Sequence, residues 1–193
     1  MTESTGAKQI NIKKNKFRIP SLMVLIGSLM LVTALFVPFA AGTKEYKEKL
    51  NELPNEIYLE EIGMANKDLS DLSLFEYGKI YYAASKNEVL KGAGSIYLVL
   101  FGTFAVGIAL TTLFSILKKP IAVMIFNIFS LVVFNFIRYD FTDRGVIPSM
   151  DYNWGIAQYI YYVGAVIVIL GAITLFIAKI KAKKERKALS QMN

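Results

Sequence analysis

Four long apolar runs, separated by charged segments, most constrain the fold of this 193-residue chain. The runs cover residues 20–41, 93–117, 120–136 and 154–180, and Asp, Glu, Lys and Arg occur only at their ends. A helix needs about 20 mostly apolar residues to cross the roughly 30 Å hydrocarbon core of a bilayer. Each run is close to that length. The sequence therefore predicts an all-α membrane protein, with residues 1–193 forming one domain around a bundle of four transmembrane helices.

Basic residues indicate which way the chain is inserted. The two terminal tails and the turn between the second and third runs hold 13 Lys and Arg against two acidic residues, whereas residues 42–92 and 137–153 hold nine against 13. Lys and Arg accumulate on the cytoplasmic side of membrane proteins. We therefore expect a multi-pass protein of the cell membrane with both termini cytoplasmic (tails 1–19 and 181–193) and outer loops at 42–92 and 137–153.

The basic tails have two interpretations, attraction to anionic lipid or binding of RNA or a partner protein. The basic residues flank the spans and carry no interleaved aromatic side chains, which favours anionic lipid and argues against nucleic acid. The first 16 residues are polar and predict a disordered tail. The first apolar run is longer than the 7–15 residues of a signal-peptide core, so we expect a retained helix.

The outer loops lack cysteine, so their order must come from packing rather than disulfides. Residues 69–82 are rich in Leu, Phe, Tyr and Ile and predict an amphipathic helix, with Ser70 or Asp71 as its N-cap. Leu72 and Phe75 would then share one helix face. The sequence predicts a mainly helical extracytoplasmic cap, which either packs on the bundle and membrane rim or binds a partner through the same residues.

Catalytic chemistry has little support in this sequence. The chain has no histidine and no cysteine, which excludes His and Cys metal sites and nucleophiles paired with histidine. It also lacks a phosphate-binding glycine-rich loop and a metalloprotease helix motif. We expect no catalytic residues, no cofactor and no metal site, and thus not an enzyme.

Polar residues within the third run form one candidate site: Asn127, Ser130 and Asn135. Amides inside a membrane are costly unless they are paired, so these side chains are expected to face the bundle. They would either hydrogen-bond a neighbouring helix or line a path for a small solute.

The second outer loop supplies another candidate, the polar cluster of Asp140, Asp143 and Arg144. These groups could bind a cation or a polar ligand, or they could form a local network of ion pairs beside a turn at Gly145 and Pro148. We favour the local network.

Two features predict how the helices pack. Gly164 and Gly171 are seven residues apart on the fourth helix, so they share a face and allow a close helix crossing. The short Lys118-Lys119-Pro120 turn predicts that the second and third helices are antiparallel neighbours.

The layout resembles that of claudin-like tetraspan proteins, with cytoplasmic termini, a large first outer loop and a small second one. The match covers topology alone, because the Trp-Gly-Leu-Trp run and two following cysteines of claudins are missing. The stretch 143–148 (Asp-Arg-Gly-Val-Ile-Pro), with Tyr152, Trp154-Gly155 and Tyr161-Tyr162, is similar to small four-pass proteins of Gram-positive bacteria. That resemblance implies a bacterial plasma membrane and no particular activity.

These observations predict a non-catalytic integral membrane protein, an accessory, assembly or partner-binding component whose outer cap meets another membrane protein or a second copy of the chain. The alternative is an oligomeric channel or transporter component for a small solute. A proton- or ion-coupled transporter is disfavoured because no ionisable residue lies deep in a span.

Overall fold

The computed structural model of the protein describes residues 3–88 and 90–191; residues 1–2, 89 and 192–193, which belong to the predicted tails and first outer loop, lie outside it. The described chain is 74% helical. Its helices are α1 (Glu3–Thr33), α2 (Lys44–Glu52), α3 (Leu74–Lys86), α4 (Lys91–Ile116), α5 (Pro120–Asp143) and α6 (Ala157–Ser190). Its short strands are β1 (Pro38–Gly42), β2 (Ile57–Leu59), β3 (Met64–Ala65), β4 (Asp71–Ser73) and β5 (Tyr152–Trp154).

Three helices, α4, α5 and α6, are long and apolar enough to cross a membrane. Helix α1 is apolar over a shorter stretch, Arg18–Thr33. It packs along α6 and also contacts α4, while α5 packs against α4 and α6. Only the three residues 117–119 separate α4 from α5, and Lys118 has a left-handed backbone with φ of 53°. Helices α4 and α5 are therefore neighbours joined by a short turn, as predicted.

The first apolar run differs from its prediction at both ends. Helix α1 begins at Glu3, inside the tail that the sequence predicted to be disordered, and Pro20 lies within it. The predicted helix 20–41 ends early, at Thr33, and β1 takes up its last residues. Pro38 explains this end, because proline cannot donate a backbone hydrogen bond inside a helix but is tolerated at the first residue of a strand.

The other helices keep their predicted centres and shift at their ends. Helix α5 continues seven residues beyond the predicted end at 136, to Asp143. Helix α6 begins at Ala157 rather than at residue 154 and runs to Ser190 rather than 180. Trp154 belongs to β5 instead. Helices α5 and α6 thus include charged residues that a hydropathy pattern assigns to loops, because a helix can extend past the apolar core into water.

Strand β1 is the centre of a three-stranded antiparallel sheet with the order β4-β1-β5. Ala40 is opposite Leu72 in β4 and opposite Trp154 in β5. The backbone of Gly155 approaches Pro38 so closely that a Cβ atom at 155 would overlap the Pro38 carbonyl oxygen. This sheet joins the segment after α1 to both of the predicted outer loops. The predicted all-α fold is therefore confirmed in its helical majority, but it did not include this sheet.

The sheet region, defined here as residues 34–88 and 144–156, also holds α2, α3 and the β2–β3 hairpin. Thr43 caps α2, and Ser73 caps α3 through a reciprocal pair of hydrogen bonds with Glu76. The predicted cap at Ser70 or Asp71 is therefore wrong by two to three residues. Leu72 lies in β4, so it does not share a helix face with Phe75 as predicted.

Large apolar side chains cover the outer faces of all four long helices. On α1 the exposed fractions of Leu22, Ile26 and Leu29 lie between 47% and 54%. Comparable side chains are exposed on the other helices, among them Val99, Val106, Ile125, Val132, Val166 and Leu170. Soluble proteins rarely expose contiguous apolar patches of this kind. This surface fits contact with lipid.

Candidate functional site

The loop cluster predicted at the end of α5 forms a closed network around Arg144. The guanidinium of Arg144 donates to the Asp140 carboxylate, with Nη2 to Oδ2 at 2.6 Å, and to the Tyr81 hydroxyl at 3.1 Å. Tyr97 donates to the other Asp140 oxygen at 3.0 Å. Because Tyr81 belongs to α3, Tyr97 to α4 and Asp140 to α5, the network ties three helices together.

Aromatic packing completes this Arg144 network. The rings of Tyr81 and Tyr97 stack with centroids 4.5 Å apart, and the Arg144 guanidinium lies 4.4 Å from the centroid of the Tyr97 ring. Burial raises the pKa of Tyr81 above its ordinary value, although the Arg144 hydrogen bond opposes this. Burial acts to lower the pKa of Arg144, but its hydrogen bonds to Tyr81 and Asp140 outweigh burial and raise it. The charged groups of Arg144 and Asp140 are thus paired within the network, as expected of a structural contact between helices.

Asp143, the third residue of the predicted cluster, does not join it. Its side chain is exposed and makes no ion pair or hydrogen bond with the described part of the chain. Over residues 3–88 and 90–191, no three His, Cys, Asp or Glu side chains could together hold a metal ion.

A second arginine joins α5 to the sheet and to α6. The Arg138 guanidinium lies 5.2 Å from the centroid of the Trp154 ring and donates to the Tyr162 hydroxyl at 3.4 Å. Tyr162 in turn donates to the Asn135 side-chain oxygen at 2.9 Å, and the Asn135 amide nitrogen donates to Leu131 on its own helix. Asn135 thus bridges α5 and α6 near the sheet.

Asn127 and Ser130 lie deeper and are fully buried. The Asn127 amide nitrogen donates to the Ala165 carbonyl on α6 at 3.1 Å, while its side-chain oxygen has no hydrogen-bond partner within the structure. Tyr161 donates to the Ser130 hydroxyl at 2.9 Å. Asn127 and Asn135 therefore make separate contacts with α6, one enclosed and one at an exposed position, rather than meeting in one polar site.

The two predicted packing glycines lie where α6 crosses α1. A Cβ at Gly164 would be 2.9 Å from Met30 Cβ, and one at Gly171 would be 3.0 Å from the Val24 backbone nitrogen. Gly27 on α1 faces α6 with equally little room, 2.9 Å from the Val168 backbone nitrogen. Sequence reasoning found the two glycines of α6 but missed Gly27, because glycine spacing on one helix does not identify its partner.

A long exposed segment of the sheet region is 51–63, which includes β2. Its apolar side chains Leu53, Ile57 and Tyr58 have exposed fractions of about 60%. Four exposed carboxylates accompany them: Glu52, Glu56, Glu60 and Glu61. No motif or periodicity in the sequence identifies this combination of exposed apolar side chains and carboxylates.

Ordered contacts hold this exposed segment in place. Met64 and Ala65 of β3, which pair with β2, are buried. The Asn66 side chain donates to the Leu53 carbonyl at 2.9 Å, and the Lys67 backbone nitrogen donates to the Pro54 carbonyl at 3.1 Å. The segment thus presents its exposed apolar side chains from a fixed backbone.

Comparison with known proteins adds no further constraint: no family model, no curated protein and no solved structure matches the chain.

Proposed function

We propose that this is a non-catalytic four-pass membrane protein whose sheet region forms an extracytoplasmic cap and binds a partner through segment 51–63. The exposure of Leu53, Ile57 and Tyr58 on an ordered backbone carries this proposal. The four neighbouring glutamates favour a partner segment that is both basic and apolar, since complementary charge steers association and opposes wrong partners.

The fourth span in this proposal is α1. Its mainly apolar stretch Arg18–Thr33 has 16 residues and measures about 24 Å at 1.5 Å per residue, and residues 34–37 continue the apolar run up to the sheet. Helix α1 lies along α6, and it exposes the same kind of apolar face. Arg18 can reach the headgroups at the other end, as long basic side chains do near helix ends.

The cap is well suited to present a fixed surface because contacts join its two loops. Thr43 donates its backbone N–H to the Asp151 carbonyl at 2.7 Å and its hydroxyl to the Met150 carbonyl at 3.2 Å. Lys47 of α2 forms an ion pair with Asp71 of β4 at 2.8 Å. A preorganised surface loses less conformational entropy on binding than a flexible loop does.

The transport alternative has less support. Asn127 is enclosed by packed side chains and Asn135 is used in a hydrogen bond with Tyr162, so the two amides do not line a shared path.

Topology can be tested with single cysteines, since the chain has none of its own. Substitutions to Cys at Ser4, Lys67, Ser149 and Ser190 are treated in intact cells with a membrane-impermeant thiol reagent. Labelling is expected only at positions 67 and 149, and all four should react after the membrane is opened. If position 4 is labelled in intact cells in addition to 67 and 149, and position 190 is not, α1 does not cross the membrane.

Partner binding is tested with a photoreactive amino acid at Tyr58 in cells. One discrete adduct is expected, and Ile57→Ser combined with replacement of Glu56 and Glu60 by Gln should remove it without changing thermal unfolding. The matched control replaces two equally exposed tyrosines, Tyr139→Ser and Tyr159→Ser, and should leave the adduct unchanged. Absence of any adduct at Tyr58, or its equal loss in the control, would reject segment 51–63 as the binding surface.

A further inference from the structure

A groove lies at the opposite end of the long helices from the sheet, beside the short turn between α4 and α5. It has a volume of about 510 Å³ and is bordered by the C-terminal part of α6 and the first turns of α5. Phe114, Ile125, Phe176 and Ile180 contribute its apolar wall. The Phe114 ring stacks against Phe126 of α5, with centroids 5.4 Å apart and planes 4° from parallel, which fixes that side of the groove.

Three lysines border the same groove: Lys119, Lys179 and Lys183. Lys179 and Lys183 are four residues apart on α6, so they share a face and repel each other unless a negative charge lies nearby. Among the described residues no acidic side chain forms an ion pair with any of the three. The groove therefore combines an apolar wall with uncompensated positive charge at its rim.

One of these charges is held in place by the fold. The Lys179 ammonium group donates a hydrogen bond to the Lys118 carbonyl at the end of α4, where the backbone turns through its left-handed residue. Two of its three N–H groups remain for a ligand. An ammonium group fixed beside an apolar groove is a natural partner for a phosphate that is attached to acyl chains.

We propose that this groove binds one anionic phospholipid, with an acyl chain against the Phe114–Phe176 wall and the phosphate among Lys119, Lys179 and Lys183. Basic pockets between transmembrane helices on the cytoplasmic side bind anionic headgroups in this way. The site is separate from the cap, so the proposal does not depend on partner binding there. A zwitterionic lipid would fill the wall equally well but would leave the lysines without a net countercharge.

The test uses full-length protein in mild detergent, stripped of lipid, and native mass spectrometry with added phosphatidylglycerol, phosphatidylcholine or inorganic phosphate. We expect one phosphatidylglycerol to be retained in preference to phosphatidylcholine, and no retention of inorganic phosphate. Replacing Lys119, Lys179 and Lys183 by Gln should lower the affinity for phosphatidylglycerol by about fivefold per lysine, the effect of one basic residue at an anionic membrane surface. Equal retention of the two lipids, or retention of phosphate alone, would overturn the proposal.

A matched control removes the same number of positive charges, all of them from α6. Lys181, Lys184 and Lys187 are exposed on α6 but do not border the groove, and their replacement by Gln should leave the lipid preference unchanged. A second variant, Ala122→Trp, fills the groove without altering charge and should weaken retention of both lipids. If the control triple variant loses the preference as fully as the groove variant, the basic surface in general attracts the lipid and the site is rejected.

Discussion

Where α1 crosses α6 and where β1 joins β4 and β5, the protein brings backbone segments together by two different means. The helix crossing relies on missing side chains: Gly27, Gly164 and Gly171 let apolar surfaces meet with almost no space between them. The sheet region relies on directional contacts, with backbone pairing, the Arg144 network and edge-to-face aromatic rings around Phe39.

The difference follows from the surroundings of each region. In the proposed arrangement α1 and α6 both lie in the bilayer, where the hydrophobic effect does not favour contact between helices, so close van der Waals packing would supply the stability of the crossing. The proposed cap lies in water, which competes for its hydrogen bonds, so burial of Phe39, Leu72 and Ile147 would supply much of the stability of the sheet region. We therefore expect larger side chains to destabilise mainly the α1–α6 crossing. We expect the loss of polar groups to destabilise mainly the sheet region.

The largest expected effect is from Gly171→Leu. Because a Cβ there already lies 2.9 Å from Val24 Cγ2 and 3.0 Å from its backbone nitrogen, α1 must move away from α6, with a loss of about 3 kcal/mol or more. Thermal unfolding in detergent should show a large decrease in Tm. The control is Gly102→Leu, since no atom of the described residues lies within 4 Å of a Cβ at that position. Equal destabilisation by both would show that α1 does not depend on this crossing.

The next effect should be confined to the sheet region. In Gly155→Ala the new methyl group overlaps the Pro38 carbonyl oxygen, so β5 must separate from β1, at a cost of about 2 kcal/mol. Trp154 is the only tryptophan in the chain and contacts Phe39 with ring centroids 5.2 Å apart. Its fluorescence should shift and protease should cut residues 43–70 faster, while far-ultraviolet circular dichroism of the helices is retained.

The control for this sheet variant is Gly78→Ala in α3, where a Cβ would lie more than 4 Å from every atom that the structure describes. It should be neutral or slightly stabilising, because alanine favours helix over glycine. If Gly155→Ala instead melts the long helices together with the sheet, the two regions unfold as one cooperative unit.

The same contrast explains what could be predicted from the sequence. Helices α4, α5 and α6 follow from local apolar length, which is why their centres were predicted. Strands β1, β4 and β5 have only three to five residues and come from segments about 30 and 110 residues apart. No local pattern marks such pairing, so residues 38–41 were predicted to be helical.

The candidate site was predicted in part for a similar reason. Asp140 and Arg144 are four residues apart at the end of one helix, so their ion pair is visible in the sequence. Tyr81 and Tyr97 reach them from other helices, and no spacing in the sequence identifies these two contacts. Likewise, the register that places Leu72 in a strand opposite Ala40 depends on contacts between distant segments, so the local sequence does not predict it.

High pH should destabilise the sheet region before the long helices, because of Tyr77, which is buried between Phe39 and Phe141. Burial raises its pKa well above the ordinary value of about 10. The neutral Tyr77 side chain therefore makes its full contribution to the free energy of unfolding below pH 10. As the pH rises above that value the free energy of unfolding falls, by about 1.4 kcal/mol at pH 11. The sheet region should become protease-sensitive before the long helices unfold.

The control for this pH effect is Tyr77→Phe, which keeps the ring and removes the titrating group. Its stability should fall less steeply between pH 10 and 11, although every lysine still titrates. An unchanged slope would assign the high-pH loss to other groups.

The smallest effect is expected from Asn127→Leu, at the centre of the helices. The substitution removes the hydrogen bond to the Ala165 carbonyl, which is worth about 0.6 kcal/mol between transmembrane helices. It also removes the buried side-chain oxygen that has no partner, which offsets part of that loss because an unsatisfied polar group is unfavourable in an apolar interior. The net change in detergent Tm should be small, and the fold should be retained.

This variant also separates structure from transport. If Asn127 only packs against α6, vesicles containing Asn127→Leu should show the same low permeability to small solutes and ions as wild-type vesicles. The matched change Asn135→Leu removes the acceptor for Tyr162 and should loosen the contact with the sheet region, again without a change in permeability. A wild-type conductance that Asn127→Leu abolishes at unchanged Tm would favour the channel alternative, because a packing amide alters stability, whereas a path-lining amide alters flux.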